Sequence, residues 1–248
     1  MIPYMRRKRI VEEVGKKEIV YVEELANSLK DISLSTIRRD LRSLAEDGQI
    51  ELLRGGAVRV KEDAYETPIQ TKQFMYLEKK DKIAKFAASL VNDGDVIYID
   101  SGTTVFEMVK YLKNKNVKMV TSNTKVINEL EDTKYTCMIL GGEITKSIAS
   151  IAGPMTETLL ANMFFDKAFL GASGFDTHSG INTPDPKEAK KKEIVKKNSK
   201  ETYVLVDSSK ANKTTFCKVF DIDECIIITD EANEVLEAKE NAKYFVVS

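Results

Sequence analysis

Two constellations of polar side chains in this 248-residue chain have the types and spacing to do chemistry. The first is Ser35, Thr36, Arg38, Arg39 and Arg42. If the segment is helical, Ile37, Leu41 and Leu44 fall at i, i+4 and i+7 on one face, and the hydroxyl and guanidinium groups take the other. Arginine can meet guanine O6 and N7 with two hydrogen bonds, and hydroxyls bond base edges or phosphates, so such a helix suits a DNA major groove. The second is Asp100-Ser101-Gly102-Thr103-Thr104, which ends an apolar run and opens a helical one. A helix N-terminus there offers free N–H groups and partial positive charge to a phosphate. Gly102 permits close backbone approach, and Ser101, Thr103 and Thr104 add hydroxyl donors.

Further runs of small and hydroxyl residues follow other apolar segments: Thr121-Ser122-Asn123, Gly141-Gly142, Gly171-Ala172-Ser173-Gly174-Phe175-Asp176 and Asp207-Ser208-Ser209-Lys210. In open α/β sheets, ligands sit beyond the carboxyl ends of the strands. Such loops leave room for a small polar ligand, with Lys210 as a positive charge for a phosphate. Asp176 could face ligand hydroxyls or cap a turn. His178 reads as an exposed loop residue, and the scattered Phe and Tyr read as core.

Other chemistry is excluded. With one histidine, a His-based metal cluster is impossible, and Cys137, Cys217 and Cys225 lack the spacing of a zinc site or a disulfide framework. No metal and no cofactor is expected. The net charge of −1 says little about nucleic acid, although residues 1–60 carry twelve Lys/Arg against ten Asp/Glu. No apolar run is long enough to span a bilayer, so a cytoplasmic protein without a membrane partner is expected.

The elements that must position these groups fall into two rhythms. Arg6–Val14 reads as a short amphipathic helix that also carries Arg7, Lys8 and Arg9. Val22–Leu29 is a second, with apolar residues at i, i+3, i+4 and i+7. Ser33 is an N-cap for a third helix running to Ala45 and stopped by Asp47-Gly48. A strand through Ile50, Leu52 and Leu53, then Gly55-Gly56, Val58 and Val60, forms a small β-wing in which Arg54 and Arg59 flank the glycines, within reach of phosphate. The order predicts a small N-terminal winged helix-turn-helix domain over 1–60 and a connector over 61–80.

From 81 to 248 strands and helices alternate. Strands are expected at Val96–Asp100, Val117–Thr121, Cys137–Leu140, Lys167–Gly171, Thr202–Asp207, Glu224–Ile228 and Tyr244–Val247. Helices are expected at Glu78–Val91, Val105–Leu112, Lys125–Glu131, Thr156–Asn162 and Lys187–Ser199. This is the pattern of a larger, mostly parallel α/β sheet covered on both faces.

The runs Val22-Glu23-Glu24-Leu25-Ala26, Ile32-Ser33-Leu34-Ser35-Thr36-Ile37-Arg38-Arg39-Asp40-Leu41 and Arg54-Gly55-Gly56-Ala57 resemble the DeoR family of bacterial regulators. Many members have Arg and then His before Gly-Gly-Ala, where this chain has Leu52 and Arg54. Asp93-Gly94-Asp95, Asp100-Ser101-Gly102-Thr103-Thr104, Thr121-Ser122-Asn123, Leu140-Gly141-Gly142, Leu170-Gly171, Gly180-Ile181-Asn182-Thr183 and Asp207-Ser208-Ser209-Lys210 resemble that family's sensor domain. The resemblance covers nearly the whole chain. It implies a fold similar to ribose-5-phosphate isomerase and a sugar-phosphate ligand.

The expected function is a repressor of sugar-metabolism genes that binds double-stranded operator DNA as a homodimer or homotetramer and is released by a phosphorylated sugar. An activator with the same parts is not separable by sequence. An enzyme, a sugar-phosphate isomerase with a fused helical domain, is the disfavoured alternative. Isomerisation needs a carboxylate base, and alignment puts Lys191 where the isomerases hold theirs, unless a slip brings in Glu193. Lys192 matches the family lysine and is kept as a ligand candidate. The other lysines of 187–197 read as a solvated helix face.

Overall fold

The computed structural model describes residues 3–17, 19–60, 69–73 and 75–247. The chain divides into two compact units, Met1–Leu77 and Glu78–Ser248. The division falls inside the stretch read as a connector, of which 61–68 and 74 lie outside the described residues.

The first unit runs α1 (Pro3–Val14), β1 (Val20–Tyr21), α2 (Val22–Ser28), α3 (Leu34–Glu46), β2 (Ile50–Leu52), β3 (Ala57–Val60) and α4 (Ile69–Lys72). Ile10 and Val14 of α1, Leu25 of α2 and Ile37, Leu41 and Leu44 of α3 are buried together. This is the arrangement that the helical spacing demanded. Ser33 caps α3 by accepting the Thr36 N–H at 3.3 Å, and Gly48 takes the left-handed conformation that ends it, at φ 70°. The wing is an antiparallel sheet of order β1-β3-β2. Its third strand, β1, is two residues long, too short for alternation to reveal. Gly55 and Gly56 both sit at φ 76° in the tight turn between β2 and β3, a conformation a side chain would strain.

The second unit continues with α5 (Leu77–Ser89), β4 (Val96–Ile99), α6 (Thr103–Phe106), α7 (Val109–Leu112), β5 (Lys118–Thr121), β6 (Thr136–Ile139), β7 (Glu143–Thr145), β8 (Ser150–Ala152), α8 (Pro154–Leu160), β9 (Phe165–Gly171), β10 (Gly174–Asp176) and β11 (Gly180–Thr183). It ends with α9 (Pro186–Lys197), β12 (Ser199–Leu205), β13 (Cys217–Phe220), β14 (Ile226–Thr229), α10 (Glu234–Glu237) and β15 (Lys243–Val246). Seven strands form one sheet in the order β15-β14-β12-β9-β4-β5-β6, and every neighbouring pair is parallel. Ile97 and Ile99 of β4 pack with Ile83 and Ala87 of α5, while Tyr98 between them packs with Leu160 of α8 and Ala189 and Val195 of α9. The sheet is therefore covered on both faces, which is why its strands are apolar almost throughout.

The structure departs from the sequence expectations in four places. The helix expected over Val105–Leu112 is two short ones, α6 and α7. The helix expected over Lys125–Glu131 is a 3-10 turn, Thr124–Glu129, capped by Asn123. Two small antiparallel sheets, β10-β11-β13 and β7-β8, stand outside the main one; their strands are three or four residues long and bracketed by polar loops. Not every aromatic is core, since Phe164 is 75% and Phe216 81% exposed.

One topological feature sets the carboxyl edge apart. After β4 the chain builds β5 and β6 on one side, then returns to lay β9 on the other side of β4. The loops leaving β4 and β9 therefore diverge at the carboxyl edge, the crevice where open α/β sheets take their ligands. Gly102 follows β4 and Gly171 closes β9 before the loops part, and a Cβ on Gly102 would lie 3.3 Å from the Cα of Gly171. Backbone approach this close explains both glycines.

Leu41, 1% exposed at the centre of the first unit's core, sets a test of that packing. Leu41→Ala should lower the stability of the unit by about 2–5 kcal/mol, read as a lower urea midpoint. A change under about 0.5 kcal/mol, the level typical of surface substitutions, would mean that α3 does not pack as described.

Candidate functional site

On α3, Ser35, Arg38, Arg39 and Arg42 are exposed and Thr36 is half-buried, while Ile37, Asp40, Leu41 and Leu44 are buried. The hydroxyls of Ser35 and Thr36 lie 3.1 and 2.8 Å from Ser33 Oγ, so they form one polar cluster at the helix N-terminus. Within the Arg-Arg-Asp run the three charges have different fates. Asp40 turns inward and accepts from Arg6 Nε and, at 3.1 Å, from Arg6 Nη2; this fixes α3 against α1. Arg38 and Arg39 turn outward. Of the basic residues on α1, Arg6 and Arg7 pair with Asp40 and Arg9 with Asp31. On the wing, Arg59 faces Glu51 across β2 and β3 at 2.7 Å, whereas Arg54 is exposed on the turn. The structure thus separates Arg54 from Arg59, which sequence had treated alike.

At the carboxyl edge of the second unit, Asp100 is completely buried at the end of β4. Its Oδ2 accepts from the Gly171 N–H at 3.0 Å and from Lys192 Nζ. Burial works to raise the carboxyl's pKa, but the charges of Lys192 and Lys191 and the two hydrogen bonds outweigh it and hold it below the usual range. Beside it, Ser101 Oγ donates to Ser150 Oγ at 2.9 Å, and Ser150 Oγ to Glu188 Oε1 at 2.7 Å. Lys191 Nζ donates to Glu188 Oε1 and Ser150 Oγ, both at 2.7 Å, and to Ser122 Oγ at 3.0 Å. Ser122 in turn shares a 2.9 Å hydrogen bond with the Tyr98 hydroxyl, whose pKa burial drives well above its ordinary value. Two carboxylates and two ammonium groups thus form one interior network.

This corrects the reading of the Lys-rich helix. Lys191 is 0% exposed, and Glu188 and Lys192 are 3% and 5% exposed. Only the outward-facing members of that run are solvated. Glu193 is exposed and pairs with Lys190, so the slipped alignment that made it a base fails. The buried carboxylate is Glu188, which sequence analysis missed, as it missed Ser150. The available signal was spacing: Glu188, Lys191, Lys192 and Val195 occupy i, i+3, i+4 and i+7, the positions of a buried stripe.

The other strand-end residues divide. Ser101 and Thr104 are buried, Gly102 and Thr103 half-buried, and all join the β4 loop. Ser122 and Asn123 are fully buried at the end of β5. Lys125 just beyond is half-buried, and desolvation lowers its pKa; it was not foreseen. Lys210 is half-buried in a 3-10 turn, Ser208–Lys210, capped by Asp207. Asp176 is engaged by its own turn. It accepts the N–H groups of His178 and Ser179, each at 2.7 Å, and the hydroxyls of Ser179 and Thr214. Desolvation opposes this, yet the hydrogen bonds hold its carboxyl far below the usual range. Gly142 leaves no room for a ligand, because a Cβ there would lie 2.2 Å from Thr156 Oγ1. His178 is exposed. Among the described residues no Cys, His, Asp and Glu group is arranged to hold a metal ion, and no helix is long and apolar enough to cross a membrane.

A winged helix-turn-helix unit joined to an α/β unit with a polar switch-point crevice defines a transcription regulator with a DNA-binding head and a sensor. The chain belongs to the DeoR family: residues 6–63 match the DeoR-like helix-turn-helix domain and residues 76–231 the DeoR C terminal sensor domain. It is 36% identical over 236 residues to the uncharacterized HTH-type transcriptional regulator FruR of Bacillus subtilis, covering 95% of this chain and 94% of that one. It is 33% identical to the HTH-type transcriptional regulator GlpR of Haloferax volcanii, over 93% and 91%. It is 31% identical to the lactose phosphotransferase system repressor of Staphylococcus epidermidis, over 99% and 98%. Among solved structures, ribose 5-phosphate isomerase A of Methanocaldococcus jannaschii overlaps 53% of each chain at 22% identity and a TM-score of 0.38, a partial overlap.

The network makes a stability prediction. Glu188→Ala leaves the Lys191 ammonium without its carboxylate and should cost on the order of 3–5 kcal/mol, whereas the double variant Glu188→Ala, Lys191→Met should recover most of that loss. Urea unfolding of both decides it. Equal losses in the two would mean that charge compensation is not what holds the pair.

Proposed function

We propose that the chain is a repressor of sugar-metabolism genes that binds operator DNA as a homodimer or homotetramer and is released by a phosphorylated sugar. The observation that carries the sensor half is a pair of buried polar atoms without a hydrogen-bond partner, Asp100 Oδ1 and Asn123 Nδ2. They lie at the ends of β4 and β5, neighbours in the sheet with Ile99 opposite Thr121. One is an acceptor and the other a donor, and a sugar hydroxyl is both. Each orphaned group costs about 1–3 kcal/mol, which a polyol in the crevice would offset. The hydroxyls of Thr103 and Thr104 and the charge of Lys210 suit the phosphate, Ser101 ties the loop to the buried network through Ser150, and Gly102 and Gly171 allow the close backbone approach there. Ser122 borders it, and Lys192 orients Asp100. The name of the Staphylococcus epidermidis relative, lactose phosphotransferase system repressor, supports the same reading.

The DNA half assigns base and phosphate contacts to Ser35, Thr36, Arg38, Arg39 and Arg42 on α3, with Arg54 reaching the backbone from the wing. Paired half-sites would need paired recognition helices, hence the oligomer. Effector binding favours a state in which those helices are wrongly spaced, and operator affinity falls.

Two measurements test this. Arg39→Ala should weaken binding to a selected operator by about 1–3 kcal/mol, roughly 5- to 150-fold; an unchanged affinity would remove α3 from the groove. In a thermal-shift screen of sugar and polyol phosphates against their unphosphorylated parents, one phosphate should raise the melting temperature where its parent does not. Lys210→Ala should abolish that shift and leave DNA affinity intact. Turnover of any aldose or ketose phosphate would overturn the reading as a regulator without catalysis.

A further inference from the structure

Lys79 lies near the start of α5 and is held by the loops at the carboxyl edge of the sheet. Its Nζ meets Asp230 Oδ2 at 2.6 Å, Ser208 Oγ at 2.9 Å and Glu231 Oε1 at 3.1 Å. Ser208 and Asp230 are themselves joined, since the Ser208 N–H donates to Asp230 Oδ1 at 2.7 Å and its hydroxyl to Oδ2 at 3.0 Å. Ser208 opens the Ser208–Lys210 turn. Four residues earlier in the chain, Met75 is buried in the core of the first unit at 6% exposure. A Cβ on Gly15 would lie 3.2 Å from it.

The two anchors are therefore separated only by Tyr76, Leu77 and Glu78. Leu77 and Glu78 already belong to α5. Tyr76 has φ 53°, the left-handed region that side chains other than glycine and asparagine seldom occupy and that persists where the surroundings impose it. Tyr76 is thus the one residue between Met75 and the start of α5.

We propose that Lys79 is the positioning residue that transmits occupancy of the Ser208–Lys210 turn to the DNA-binding unit. The proposal rests on the reading of that turn as the phosphate subsite. A phosphate dianion arriving there repels the Asp230 and Glu231 carboxylates and attracts the Lys79 ammonium. Both effects change the Lys79–Asp230 contact, and the start of α5 moves with it. Coupling then has a two-state element, Lys79 on or off Asp230, that each ligand biases.

The test uses the full chain and no sugar. A DNA duplex is selected by the wild-type protein from a random pool. Its affinity is measured for the wild type, Lys79→Met, Lys79→Arg and Asp230→Asn, together with hydrogen exchange over residues 75–84 with and without inorganic phosphate, at matched ionic strength. Lys79→Met and Asp230→Asn should each change duplex affinity by about fivefold or more, the lower end of ordinary coupling. Both should remove the phosphate effect on exchange, and Lys79→Arg should retain it. Wild-type affinity and exchange in Lys79→Met overturn the proposal. So does disagreement between Lys79→Met and Asp230→Asn, or a loss in Lys79→Arg equal to that in Lys79→Met, which marks a merely structural contact. A wild-type protein that shifts exchange with phosphate yet selects no duplex fails as a regulator, while the relay stands. One that selects a duplex but shows no phosphate-dependent exchange fails at the relay.

Discussion

The interior of the second unit holds Asp100, Glu188, Lys191 and Lys192, none more than 5% exposed, and much else at the carboxyl edge of the sheet depends on compensating them. A charge removed from water is tolerated only when an opposite charge and hydrogen bonds replace its hydration. Here the replacement is shared across elements distant in sequence. The end of β4 supplies Asp100, the end of β5 Ser122, β8 Ser150, and α9 both lysines and Glu188. Moving any of these elements leaves a buried charge unanswered. The network is thus a register for the crevice: it fixes where the strand ends stand relative to α9. It also sets the Asp100 carboxylate at one angle, with Oδ2 engaged by Lys192 and Gly171 and Oδ1 left over.

The first unit uses the same device on a smaller scale. Asp40 is a buried acid on the recognition helix, and Arg6 of α1 answers it. Its neighbours Arg38 and Arg39 keep their guanidinium groups in solvent, because a helix turns about 100° per residue and its inner stripe, Ile37, Asp40, Leu41 and Leu44, skips both positions. The run Arg-Arg-Asp therefore has a buried half that fixes the helix and a solvent-facing half. The inward acid clamps the helix at a fixed angle, and the outward arginines are carried at that angle.

What could be read from the sequence follows from where the signal is local. Ser33 as a cap, Gly48 as a stop, the i, i+4, i+7 stripe of Ile37, Leu41 and Leu44, and the seven apolar runs of the parallel sheet are each contained within a few residues. All appear in the structure close to their expected bounds. The strands β1, β7, β10, β11 and β13 carry no such signal; two to four residues exist as strands only because a partner elsewhere supplies the hydrogen bonds. The lysines of α9 failed for a related reason. Hydropathy says that Lys191 belongs in water, and nothing within α9 reveals that Ser122 and Ser150 wait to receive it. Periodicity placed it on the inner stripe, and the residue type argued against its own position.

That conflict bears on function. The four buried charges balance among themselves, so the network has no positive charge in excess with which to hold a phosphate. An anionic ligand must find its cation outside it, and the β12 loop with Lys210 and the β5 end with Lys125 are where half-buried lysines stand. A neutral polyol, in contrast, needs what the network leaves over, one acceptor at Asp100 and one donor at Asn123. On the proposed reading, the orphaned pair at Asp100 and Asn123 suits hydroxyls, and Lys125 and Lys210 outside the network suit an anion. A molecule with hydroxyls at one end and a phosphate at the other matches both. A bare phosphate would leave the orphaned pair buried and unbonded.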